Sequence, residues 1–152
     1  VKKLTPYKLD VPRKERWEET PLNRVEVVDA AEEPLTGFIG DWEASDIEER
    51  FARSLIKQGI AFSFREHFFG PTRTTPGAVE IDFLTMPVGE VRPIQIDGEF
   101  AHKTQRQKDD DRIKDALFDE FGRKYGFAPV KRIPGELLQT QDDSDALVRE
   151  MY

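Results

Sequence analysis

The chain has 152 residues, 38% hydrophobic and 35% charged, with a net charge of −7. That length suits one domain with its own core, and zero cysteines exclude a disulfide framework and thiolate chemistry. The acidic balance excludes nucleic-acid binding by bulk charge, leaving only local basic patches for that role.

Residues 1–43 read as an extended arm. Pro6, Pro12 and Pro21 interrupt a densely charged stretch with no sustained period, and residues 1–24 hold seven Lys/Arg against four Asp/Glu. A brief strand is expected at 25–28, and Pro34 to Gly40 reads as loop. The arm could lie on nucleic acid, dock on a protein partner, or remain a solvated tail. Residues 44–152 form the expected domain. No apolar run nears the roughly 20 residues of a membrane helix, and no signal-peptide pattern opens the chain, so a cytoplasmic, membrane-free protein is expected.

Ser45 or Asp46 can cap a helix over DIEERFARSLIKQG, with Glu48 at capping-box spacing from Ser45. Ile47, Phe51 and Leu55, widened by Ala52 and Ile56, form its apolar stripe, and Gly59 stops it. Glu48 sits at the edge of that stripe, where it can either cap the helix or lean over a sheet. IAFSFREHFF follows as a strand, with His67 near its end read as structural.

The chemistry-bearing stretch is 79–114. VEIDFLT and VRPIQID alternate at strand period around a MPVGE turn. A turn centred on Val88-Gly89 sets Asp82 opposite Gln95, and Asp97, two residues on, is expected to share their face. Asp82 and the Gln95 amide oxygen suit Mg²⁺, with Mn²⁺ as a substitute, because a hard cation takes oxygen donors. Asp97 could be a ligand, a base or the partner of a cation, and His102 could move a proton near neutral pH. As Asp-Gly is a common turn pair, Asp97 also has an ordinary explanation. No GxxxxGK[ST], GxSxG or HExxH pattern offers a rival chemistry.

A helix is expected from about Thr104 to Gly122, with Ile113, Ala116, Leu117 and Phe121 as its buried stripe. Lys103, Arg106, Lys108 and Arg112 crowd its start; they could form a local basic patch that binds phosphate, or pair with Asp109, Asp110 and Asp111 on a solvated face. FAPVKRI reads as a last strand, and Ser144 as the cap of a final helix through Met151. The order helix, strand, strand, strand, helix, strand, helix predicts an α/β (α+β) domain with a central sheet flanked by helices.

The ordered set Ser45-x-x-Glu48, FSFR, VEIDF, IQIDGEFAH and DDDRIKDALF resembles the PD-(D/E)XK nuclease superfamily. The nearest branch is that of the very-short-patch-repair endonucleases and related short bacterial proteins, and the likeness covers roughly residues 45–133. The resemblance implies a restriction-endonuclease-like mixed sheet and Mg²⁺-dependent endonucleolytic hydrolysis of DNA. It makes Asp82 the principal metal ligand, Glu48 an outer ligand or water-positioning group, and Gln95 the second ligand. Asp97 falls where the superfamily more often has its catalytic Lys, and His102 where this branch has a catalytic His. Gln95 in place of Glu removes one negative charge, and Lys103 is a candidate substitute for the missing Lys. These departures keep a second class in view: a catalytically silent nuclease fold serving as a nucleic-acid-binding or assembly component, as of a phage or mobile element.

Overall fold

The computed structural model describes residues 33–70, 78–98 and 103–152. A two-stranded hairpin of β1 (Phe38–Ile39) and β2 (Trp42–Glu43) leads into helix α1 (Asp46–Lys57). Strands β3 (Ala61–Phe68), β4 (Val79–Met86) and β5 (Arg92–Asp97) follow, then helix α2 (Gln105–Arg123) and strand β6 (Lys131–Pro134). A 3₁₀ turn (Gly135–Leu138) and helix α3 (Gln141–Met151) end the chain. The four long strands form one mixed sheet in the order β3-β4-β5-β6, antiparallel except for the parallel β5–β6 pair. That parallel pair needs a crossover, and α2 supplies it. The expected α+β class and order of main elements are those observed.

Local chemistry explains the helix starts. The Ser45 hydroxyl accepts from the Glu48 N–H while Glu48 Oε1 accepts from the Ser45 N–H at 2.9 Å, and Thr104 and Gln107 repeat this reciprocal box on α2. The last helix is capped by Thr140, four residues before the expected Ser144. Ser144 lies inside α3, buried, with its hydroxyl 2.8 Å from that of Ser54 on α1.

Residues 33–43, expected in the arm, pack onto α1. The wholly buried Glu49 carboxylate accepts N–H bonds from Thr36 and Gly37, and Arg53 donates to the Glu33 and Pro34 carbonyls. Burial works against this charge, but those N–H donors and Arg53 hold its carboxyl below the usual range. Residues 33–43 are therefore packed with the domain expected over 44–152, and the segment expected to be loop, Pro34 to Gly40, holds β1, with β2 just after it. The strand expected at 25–28 lies outside the described residues.

Two apolar clusters sit on opposite faces of the sheet. The first joins Phe51 and Leu55 of α1 and Val148 of α3 to Phe62, Phe64, Phe83, Ile94 and Ile133. The second joins Phe118 of α2 to Phe68, Ile81 and Leu84. Phe64 and Phe68 are an even number of residues apart, as are Ile81 and Phe83, yet each pair is split between the two faces. The alternation of both strands breaks between them. At that break the ladder passes from Phe64↔Phe83 to Glu66↔Ile81, leaving Arg65 and Asp82 unpaired, and Arg65 has φ of 59°. A left-handed arginine within a strand is strained backbone, of the kind that clusters at functional sites.

The helix α2 turns differently from its expected orientation. Ile113, Ala116 and Leu117 are exposed, Phe121 packs half-buried on the second cluster, and Phe118 and Gly122 are buried. The sequence pattern 113-117-121 is apolar at helical spacing, but a second inward-facing row of Phe118 with Asp111, Asp115 and Gly122 satisfies the sheet.

Candidate functional site

The break at Asp82 builds the site. Main-chain pairing of β4 with β5 runs from Thr85↔Arg92 to Phe83↔Ile94, a register that sets Asp82 opposite Gln95 as expected. Beyond it the strands are joined by side chains. Asp82 Oδ2 accepts from the Ile96 N–H at 2.8 Å, Gln95 Oε1 accepts from the Asp82 N–H at 2.9 Å, and Gln95 Nε2 donates to the Glu80 carbonyl at 2.9 Å. Two side chains thus satisfy main-chain groups that the parting ladder leaves open.

Asp82 is surrounded by acid. Burial pushes its carboxyl up to about 7, and Glu48 from α1 and Glu80 from its own strand push in the same direction. The Ile96 N–H and Arg65 pull the other way. Arg65 reaches Glu48 at 4.0 Å, and His67 Nε2 lies 2.9 Å from Glu80 Oε2. The Glu48 carboxylate is both the helix cap and a neighbour of Asp82. A shallow cleft lined by Gly37, Phe38, Glu43, Ser45, Glu48 and Arg65 opens beside it.

Asp97 does not share this face. Because the alternation breaks at Asp82, that side chain turns to α1, while Asp97 turns to α2 and enters a second charged cluster. Asp97 is 4% exposed; its Oδ1 accepts from Lys103 Nζ and Arg132 Nη1, each at 2.9 Å. Lys103 also bonds Asp111, and Arg132 forks onto Asp115 at 2.6 and 2.8 Å. Partial burial disfavours the Lys103 ammonium, but the bonds from Asp111 and Asp97 hold it above its usual range. Desolvation opposes the Arg132 charge as well, and Asp115, Asp97 and Asp111 overcome it. Asp97 is thus the partner of two cations, one of the roles expected for it. Lys103, equally committed, is not turned towards Asp82 as a substitute lysine.

The remaining expected phosphate contacts divide. Arg112 is exposed at the start of α2, 3.3 Å from Asp109, and Arg106 is exposed. Lys108 lines the cleft over the Asp97 cluster together with Arg112. His102 lies outside the described residues.

Sequence reasoning did not single out Arg65, Glu80 or Arg132. The slipped alternation of FSFREHFF, with Phe64 followed by Phe68, was the available signal for Arg65. Glu80 and Arg132 gave none, since a strand residue opposite a solvent-facing histidine and a strand arginine beside a helix are ordinary.

Among the described residues no group of three or more His, Asp or Glu is placed to hold a metal ion. Mg²⁺ needs fewer, taking one or two protein carboxylates and completing its shell with water and phosphate oxygens. Asp82 and Glu48 offer that donor set. Gln95 fits less well, since its amide is bonded at both ends. No helix of the described residues is long and apolar enough to cross a membrane. No protein-family model, curated protein or solved structure matches the chain.

Proposed function

We propose that the protein is a divalent-metal-dependent DNA endonuclease whose site is centred on Asp82. The observation that carries this reading is the convergence of Glu48 and Glu80 on a half-buried aspartate at the point where β4 and β5 part. Arg65 offsets these like charges only in part, since the Asp82 carboxyl is still pushed up to about 7, and a divalent ion would relieve them further. Asp82 and Glu48 would hold Mg²⁺ or Mn²⁺, which supplies a more acidic bound water and charge stabilisation at a phosphodiester. Gln95 fixes the Asp82 backbone, and Arg65 stands beside Glu48 to meet a phosphate oxygen. Arg106, Lys108 and Arg112 would hold flanking phosphates, so affinity would fall as salt rises.

Calorimetric titration of Mg²⁺ and Mn²⁺ into the parent and Asp82→Ala, alongside cleavage of labelled duplex DNA, tests this. Metal binding and cleavage by the parent, both lost in Asp82→Ala, are expected. Cleavage by Asp82→Ala at the parent rate would place the site elsewhere. A folded parent that neither binds metal nor cleaves would leave the second reading, a silent nuclease-like module. Two observations favour that alternative: the Gln95 amide is engaged at both ends, and Asp97 is tied to two cations.

A further inference from the structure

The outward side of α2 carries Ile113 and Leu117, with half-buried Phe121 at its edge, and Tyr125 follows just past the end of the helix. Ile113, Leu117 and Tyr125 are 60%, 64% and 65% exposed. Phe121 stands between them, its ring centroid 5.0 Å from that of Tyr125 and 4.8 Å from that of Phe69, itself 51% exposed. Monomeric proteins scatter exposed apolar residues singly, whereas a contiguous set marks a contact surface. The fold does not need Ile113 or Leu117, since α2 is already anchored through Phe118, Phe121 and Gly122.

The charges framing the row indicate what covers it. Ile113 lies four residues before Leu117 and Phe121 four after. Asp110 lies seven before and Lys124 seven after, and both are exposed. Seven residues are about two helical turns, so Asp110, Leu117 and Lys124 fall on one line along the helix. The line is negative at one end, apolar in the middle and positive at the other. Such a surface complements itself when reversed. Two copies of α2 running antiparallel about a two-fold axis at Leu117 set Asp110 of each copy against Lys124 of the other. Leu117 then meets Leu117, with Ile113 and Phe121 closing around them. A parallel pair would oppose like charges at both ends.

We propose that this face of α2 is the isologous contact of a homodimer. The inference is independent of the chemistry at Asp82. Sedimentation equilibrium of the full chain over a range of concentrations should give a reversible monomer–dimer equilibrium. Leu117→Glu should weaken it by more than about tenfold, with the helical signal and melting temperature kept because the side chain is exposed. Asp110→Lys should also weaken the dimer, and Asp110→Lys with Lys124→Asp should recover the parent affinity by restoring the pair in swapped form. A monomer at every concentration up to about 1 mM would overturn the proposal, whether residues 1–32 or a different protein covers the row. So would a dimer indifferent to Leu117→Glu, or a double swap no better than the single one.

Discussion

With its carboxyl pushed up to about 7 from an ordinary value near 3.8, Asp82 makes the metal-free protein sensitive to pH. Between those two values the folded chain holds a proton on Asp82 that the unfolded chain has lost. Stability from this group is therefore greatest at the acid end and falls as pH rises from about 4 to about 7. Each pH unit across that window corresponds to at most about 1.4 kcal/mol, and the partial exposure of the side chain reduces the total. Asp82→Asn keeps an oxygen for the Ile96 N–H and carries no charge. At pH 8 without divalent metal, it should be about 2 kcal/mol more stable than the parent by denaturant unfolding. That advantage should vanish near pH 4. Equal stabilities of the two proteins at pH 8 would show that the acid cluster around Asp82 exerts no such strain.

At the scale of the elements, the parting of β4 from β5 depends on one neutral amide. Gln95 accepts from one main-chain group of β4 and donates to another, two residues apart. A glutamate can keep the first bond but not the second, and it faces the Glu80 carbonyl with a negative charge. Gln95→Glu should therefore cost the metal-free protein about 1–3 kcal/mol of stability at neutral pH, measured by urea unfolding. Stability equal to that of the parent would mean that the clamp contributes nothing. The capping box of α1 and the Val88-Gly89 turn were legible because each rests on residues at most a few positions apart. The face on which Asp97 falls was not, because it depends on a break in alternation at Arg65 and Asp82 that two strands make together.

Across the molecule, the two apolar clusters decide which side of each helix is buried. Phe118 is 1% exposed against Phe68, with ring centroids 4.9 Å apart, while its neighbour Leu117 is 64% exposed. Phe118→Ala should lose about 3–5 kcal/mol in thermal unfolding, and Leu117→Ala should change the stability of the monomer by no more than about 0.5 kcal/mol. The reverse order of effects would mean that α2 packs on its other side.

The class of the fold, the order of its main elements, the capping box of α1 and the register that sets Asp82 opposite Gln95 are all written in the order of residues. Each follows from local period, cap chemistry or turn position. Packing between distant segments settled the rest. It sent Asp97 to Lys103 and Arg132 and brought Glu48 and Arg65 to Asp82. It also folded residues 33–43 onto a buried Glu49 and turned Ile113 and Leu117 outward. These outcomes depend on which of two apolar rows meets the sheet and on where buried charge finds its partner, energies set by parts of the chain far apart in sequence.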